Sequence, residues 1–375
     1  MKRNHSRKQY NGKKVAGACA ALSLGTLATA SLGAASLGAM PAANAATTTT
    51  AAATPTWHVV GAIPGDPSGQ VAAVVPTGET SGYAFTNGTA KVPAAYERTG
   101  ATTWKQIAFP GNSSETVVAA QASSAGNVWA FENNSANGES VALKLVNGNW
   151  VAMKTFPEQI GGISVLSSTE VWVYGERGTS AEAPLGVYDF DGSAWHKVAA
   201  TLQGGGEVGI DDIWGYSGTI AAHYVAGQWT GTDLAPLLKT TATDHPAIYH
   251  VLSLSDNNVY AVGVANDVTS SEPVVILHFN GTAWSKVAVS SVHGFPAVLA
   301  PDGEGGLWIS VSGTGYSTML HYSDGEVTQA TLPGTSGTLG AVAGLPVPTT
   351  TFELAGGSSV TTPEGGPVAE ILQYS

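Results

Sequence analysis

The chain has 375 residues, with 15 Lys+Arg against 27 Asp+Glu, a formal net charge of −12 and one cysteine. That balance excludes non-specific attraction to nucleic acid or to an anionic membrane surface. A single cysteine excludes a disulfide within the chain.

In chain order, residues 1–45 read as a secretory signal peptide. Lys2, Arg3, Arg7, Lys8, Lys13 and Lys14 make a basic start, Val15 to Met40 is an Ala/Leu/Gly run without a charge, and Ala43-Asn44-Ala45 has the small-x-small pattern of a cleavage site. Cleavage is expected after Ala45. The run is long enough to span a bilayer, but it is weakly apolar and ends in that signature, so no anchor is expected. Cys19 has Ala16 three positions before it, where a lipoprotein site needs a Leu-like residue. The product is therefore expected to be secreted, free of thiols and stable by packing alone. Six of the fifteen Lys+Arg lie in the leader with no acidic residue, so nine face all 27 Asp+Glu in the remainder, a net charge of −18. Arg98 and Arg177 are its only arginines. Residues 46–55, rich in Thr and Ala, read as an exposed linker, and 56–375 as one folded domain.

Within that domain every tryptophan falls into a two-beat repeat. The first beat is an aromatic inside a short apolar run: Tyr83, Trp129, Trp172, Trp214, Tyr260, Trp308 and Phe352, spaced by 42 to 48 residues. The second is a Trp after a Gly-bearing turn: Trp104, Trp150, Trp195, Trp229 and Trp284, with Val327 in the sixth place. Such a period made of short strands predicts a β-propeller. Trp57 is a second beat without a first, and Phe352 a first without a second. Joining the two ends completes a seventh repeat. The expectation is an all-β, seven-bladed propeller of four-stranded blades, closed by an N-terminal strand at Trp57–Val60 that joins the last blade. The predicted strands, A to D in each blade, are bounded by Gly, Pro, Asn and Asp. Asn147-Gly148, Asp191-Gly192, Asn280-Gly281 and Asp324-Gly325 mark C-to-D hairpins, whose central residues need positive φ. The aromatics of strands B and D are expected to fill the wedges between blades. His223, His278 and His321 recur in strand C, too far apart to share one ion, and read as structural. No Trp is followed by Asp, which departs from WD40 repeats, and no Gly-Gly doublet recurs in phase, which departs from kelch repeats.

No catalytic signature is present: no G-x-S-x-G, no H-E-x-x-H and no Cys/His metal cluster. Asp191-Gly192-Ser193-Ala194-Trp195 resembles the Asp-box turn of sialidases, but its Asp is adjacent to the Gly, and two arginines cannot supply those enzymes' triad. The acidic turns Asp302 to Gly306, Asp256-Asn257-Asn258 and Asp211-Asp212 fall where A-to-B turns are due, so they read as turns in preference to calcium sites. No cofactor or metal is expected, and the chain does not read as an enzyme. The face made by the B-to-C and D-to-A loops is expected to carry Asp66, Phe109, Glu132, Phe156, Glu176, Arg177, Asp244, His245, His293, Phe295 and Tyr316. Of these, His293, Phe295, Tyr316, Asp244, His245, Glu176 and Arg177 are the candidate ligand-binding residues, because a sugar needs an aromatic face to stack on and polar groups for its hydroxyls. The loop from Thr230 to Pro246 carries Leu234, Pro236, Leu237 and Leu238, which either cap the axial channel or dock a partner. Phe109-Pro110, Phe156-Pro157 and Phe295-Pro296 recur near the D-to-A crossing and are expected to serve packing.

The aromatic-centred B strand, the C strand with His before an aromatic and the Asn/Asp-Gly turn to Trp resemble secreted seven-bladed propellers of actinobacteria. Among these the chain is similar to the lectin-type propeller subunits of umbrella-shaped antibacterial toxin particles. That resemblance implies a target-recognition subunit inside a secreted complex, with a cell-surface glycan or polymer and a protein as partners. A protein-docking scaffold without a glycan site, and a glycoside hydrolase or lyase with an unrecognised carboxylate pair, are the competing readings. A fold hosts all three functions.

Overall fold

The computed structural model describes residues 55–63, 71–88, 92–175, 186–199, 213–225, 227–269, 272–313, 317–333, 339–344, 353–359 and 368–375. The chain divides into Met1–Ala52, which lies outside the described residues together with the expected signal peptide, and Ala53–Ser375. All described strands belong to the second unit.

The protein is a β-propeller with four-stranded antiparallel blades. Six sheets have four strands: 71–107, 115–156, 160–199, 247–293, 295–329, and a last one that combines 339–374 with the N-terminal strand Trp57–Ala62. A further sheet has three strands, Ile213–Ser217, Ile220–Val225 and Gln228–Asp233. The expectation of seven four-stranded blades is thereby corrected to six. Trp214 and Trp229 carry the two beats of the fourth repeat, and their strands form. The stretch due to supply an inner strand to that sheet, 200–212, lies outside the described residues.

Ring closure follows the split repeat. Trp57 pairs with Tyr374 and Val59 with Leu372, antiparallel. Trp57 is 5% exposed, and its ring lies 5.2 Å from Trp308 and 5.5 Å from Tyr374. On the other side, Arg98 of the first blade donates to the Gln373 side-chain oxygen at 2.8 Å and to the carbonyl of Glu79 at 2.9 Å. The edge that an open ring would leave unpaired is thus covered.

Elsewhere the wedges between blades are filled as the repeat predicts. Trp129 of one blade meets Trp195 of the next at 5.9 Å, edge to face, and Trp214 meets Trp284 at 5.6 Å. The edge of each ring meets the electron-rich face of its neighbour, the favoured geometry for aromatic pairs. The strand-C histidines belong to this packing. His223 stacks on Trp214 at 4.3 Å and His321 on Trp308 at 4.2 Å, each directly across from its partner in the strand register.

Two of the four expected hairpins turn as predicted. Asn147-Gly148 and Asp324-Gly325 have positive φ at both central residues and close two-residue loops. The other two are four-residue loops, with Phe190 paired to Trp195 and Phe279 to Trp284. There the Asp191 carboxylate and the Asn280 amide oxygen accept backbone N–H bonds two and three residues on, and positive φ is confined to Gly192 and Gly281.

Leu234 and Leu238, 1% and 0% exposed, pack between the sheets 213–233 and 247–293, and Leu237 lies half-buried against the same core. The single turn of helix at Ala235–Leu238 inserts them there. They neither cap the channel nor form a docking patch.

Candidate binding face

The inner strand of each blade begins on the face where the strand-B ends and the D-to-A crossings lie. In all six four-stranded blades it begins with the same irregularity. The pairing register slips between Val71 and Ala73, Val117 and Ala119, Ile160 and Gly162, Ile248 and His250, Pro296 and Val298, and Leu339 and Ala341. Each slip passes over one residue of the inner strand in the register: Ala72, Val118, Gly161, Tyr249, Ala297 and Gly340. A bulge of this kind bends the strand and re-aims a side chain. Five of these residues are small or aliphatic. Tyr249 is the aromatic one.

Amides hold the blades in phase next to this ring of bulges. Asn87 accepts the Val117 N–H at 2.7 Å and donates to the Val117 carbonyl at 3.0 Å. Asn133 does the same to Ile160, at 2.9 Å in both directions. Beside the three-stranded sheet a main-chain bond takes this role, from the Ile248 N–H to the Gly218 carbonyl at 2.9 Å. It brings Tyr216, two residues before Gly218, against Tyr249 and His250.

Four side chains gather there. Burial pushes the Tyr216 phenol up to about 12, with Tyr249 beside it adding to the effect. Burial pushes the His250 imidazolium down to about 4, against opposing hydrogen bonds with the Ala297 and Pro296 backbone. Both groups are neutral at pH 7. The Phe295 ring lies 5.6 Å from Tyr249, tilted by 33°. His293, exposed, precedes it through Gly294 at φ 144°, where a Cβ would run into the Ser312 carbonyl.

Beneath this group lies a cavity of about 400 Å³ on the ring axis. Val74, Ala120, Ile163, Val251, Leu299 and Val342 contribute to its wall, one from each described inner strand, together with Tyr216 and His250.

The other sequence-derived candidates fare differently. Glu176, Arg177, Tyr316 and Asp66 lie outside the described residues. The Asp244 carboxylate accepts the hydroxyl and backbone N–H of both Thr240 and Thr241. The Thr241 hydroxyl contributes most to holding this carboxyl far below the usual range, and the group acts as a turn clamp. His245 is exposed, and its carbonyl accepts the Asp267 N–H at 2.9 Å. Among the Phe-Pro pairs, Phe109 packs on Trp150 at 5.3 Å and Phe156 on Trp195 at 5.2 Å. Phe295 opens an inner strand instead, which turns it toward Tyr249. Sequence reasoning missed Tyr216, Tyr249 and His250, since none belongs to the two-beat repeat. The available signal was a histidine inside the apolar run Ala247–Ser255, the one imidazole on a described inner strand.

Glu132 occupies a separate place on the same face. It is 3% exposed, and its Oε1 has no hydrogen-bond partner. A Cβ at Gly111 would lie 3.0 Å from that oxygen, so the glycine lets the loop close over it. Burial, followed by the charge of Glu115, pushes the Glu132 carboxyl up to about 8.

Of the acidic turns within the described residues, the one at Asp302 is occupied by internal bonds. Asp302 accepts His321 Nε2 at 2.9 Å and the N–H groups of Glu304 and Gly306 at 2.8 and 2.7 Å. Burial opposes ionisation of Asp302, but these bonds outweigh it and hold the carboxyl below its ordinary range.

No protein-family model matches the sequence, and no curated protein matches it. Solved structures do match in fold. YCF48 from Cyanidioschyzon merolae aligns at 14% identity over 85% of this chain and 98% of its own, with a TM-score of 0.52. The β-propeller domain of the Trilobed protease from Pyrococcus furiosus, described as having an open velcro topology, aligns at 9% identity over 83% and 94%, with a TM-score of 0.54. A chain of the Mitotic Checkpoint Complex aligns at 11% identity over 84% and 94%, with a TM-score of 0.53. The chain shares the β-propeller fold with these proteins. Here, unlike an open velcro, the N-terminal strand is paired into the last sheet.

Proposed function

We propose that this protein is a secreted, non-catalytic binder of a cell-surface glycan, acting as the target-recognition subunit of a secreted antibacterial toxin complex. The observation that carries the reading is the Tyr249 bulge. It sets an aromatic ring beside Phe295 and near Tyr216, whose neutral phenol lines an axial cavity together with the neutral His250 imidazole. Saccharides are held by stacking on such rings together with hydrogen bonds to uncharged donors and acceptors. The basic, apolar and small-residue segments of 1–45 support export, and the sequence resemblance supports the complex. Asp191, Asp244 and Asp302 spend their carboxylates in turn bonds, which favours binding over catalysis at those positions.

The experiment measures binding to cell walls and to a glycan array for wild type, Tyr249→Ala and His293→Ala, together with their unfolding midpoints. Binding is expected to fall by about tenfold or more, the loss of one good stacking or hydrogen-bonding partner, while the midpoints stay within a few degrees. Wild-type binding by both variants would refute the assignment of this face. Mature protein recovered from culture fluid should begin at Ala46, and a large stoichiometric partner should copurify with it.

A further inference from the structure

We propose that Asn147 is a site of spontaneous covalent modification, at which the chain converts its own side-chain amide to a carboxylate. The main-chain nitrogen of Gly148 attacks the side-chain carbonyl carbon of Asn147. A C–N bond forms, closing a cyclic imide, and the side-chain amide nitrogen leaves as ammonia with the proton of the Gly148 N–H. Water then opens the imide at one carbonyl or the other, giving Asp or isoaspartate. Glycine in second place favours the attack, because no side chain shields its nitrogen. Four such pairs follow residue 45: Asn87-Gly88, Asn137-Gly138, Asn147-Gly148 and Asn280-Gly281. Their chemistry is the same, so the structure around each pair decides which one reacts.

Three of the pairs are tied down. The Asn87 side chain is held at both ends by the Val117 backbone. Asn137 donates to the Glu139 carboxylate at 2.7 Å and accepts the Glu139 N–H at 3.0 Å, while the Gly138 N–H is spent on the Asn134 carbonyl at 2.9 Å. The Asn280 side-chain oxygen accepts the N–H groups of Thr282 and Ala283, both at 3.0 Å, and Asn257 packs directly on Gly281. Asn147 differs on each count. Among the described residues its side-chain amide and the Gly148 N–H have no hydrogen-bond partner, the one bond there running from the Asn149 amide to the Asn147 main-chain carbonyl at 3.2 Å. No atom lies within 4 Å of where a Cβ on Gly148 would stand. Val146 to Asn149 are all exposed, so the hairpin end can open without unpacking a core. Reaction adds a negative charge to the turn. The isoaspartate product also adds one main-chain carbon to a two-residue loop just before Leu145 pairs with Trp150.

The test is incubation of the mature protein in mildly alkaline buffer, folded and in denaturant, followed by digestion and mass spectrometry of the peptides that carry the four pairs. In the folded protein the Asn147 peptide is expected to exchange amide for acid at least about tenfold faster than any of the others, since each of those must first break two or more hydrogen bonds. In denaturant the differences are expected to collapse. Another pair that reacts as fast in the folded protein overturns the assignment. So does an Asn147 peptide that keeps its amide while folded and reacts only in denaturant. Asn147→Gly leaves a Gly-Gly pair suited to the same turn and is expected to abolish the exchange with the unfolding midpoint unaltered. Exchange that persists in this peptide of the variant would place the reaction at Asn149 and overturn the proposal. The comparison among the pairs of the wild type stands even if the variant does not fold.

Discussion

Glu132 shows what one side chain can do to the pH dependence of a whole domain. Its carboxyl is raised from the ordinary 4.5 to about 8 by burial and by Glu115, so the folded state holds the proton more tightly than the unfolded chain. Stability is then greatest below about pH 4.5. It declines between 4.5 and 8, where the unfolded chain has ionised and the folded one has not, and it levels off above 8. Glu132→Gln keeps the shape and removes the ionisation. The variant is expected to match wild type near pH 4 and to exceed it by on the order of 2–4 kcal/mol at pH 8. Denaturant titrations at the two pH values check this, and a constant difference between variant and wild type would show that Glu132 does not titrate in this range. None of this was legible in the sequence. Glu132 was placed on the correct face by its position in strand B, but its burial involves Gly111, distant in sequence, lying close over its carboxylate.

Strands and turns were the most legible elements, because their signals are local. The aromatic beats, the Gly-bearing turns and the split repeat assign Trp57 to the last sheet, where it lies. Removing Trp57 to Val60 exposes the edge of strand Val368–Tyr374 and takes a buried ring away from Trp308. Protein starting at Gly61 is expected to be less stable than protein starting at Ala46 by at least about 3–5 kcal/mol, the usual cost of truncating one buried Trp. Thermal unfolding of the two forms decides it, and equal midpoints would contradict the closure. Hairpin geometry was only half legible. Asn-Gly and Asp-Gly announce a turn, but whether it closes in two residues or four depends on where the next strand resumes, as Asp191 and Asn280 show. The inner-strand bulges left no trace in composition, because a bulge is a relation between two strands.

At the scale of the whole molecule, stability is expected to be independent of metal and of redox state. The Asp302 turn engages its carboxylate internally, with His321, Glu304 and Gly306, and among the described residues no group of three or more His, Asp or Glu converges. Chelator and reductant are expected to leave the unfolding midpoint of the mature protein unchanged. A fall of several degrees with chelator would identify one of the acidic turns as a calcium site.

The sequence by itself determined the propeller, the phase of its repeats, the interblade role of its tryptophans and the pairing of its two ends. Each of these is written in a period, and a period survives without knowledge of any distant contact. Tertiary structure decided the rest. Among the described residues it gave six four-stranded sheets beside one three-stranded sheet, and it buried Leu234 and Leu238 between blades. It also brought Tyr216, Tyr249, His250 and Phe295 together from three different sheets. Such groupings arise where sheets meet around the axis, and neighbours on a ring need not be neighbours on the chain.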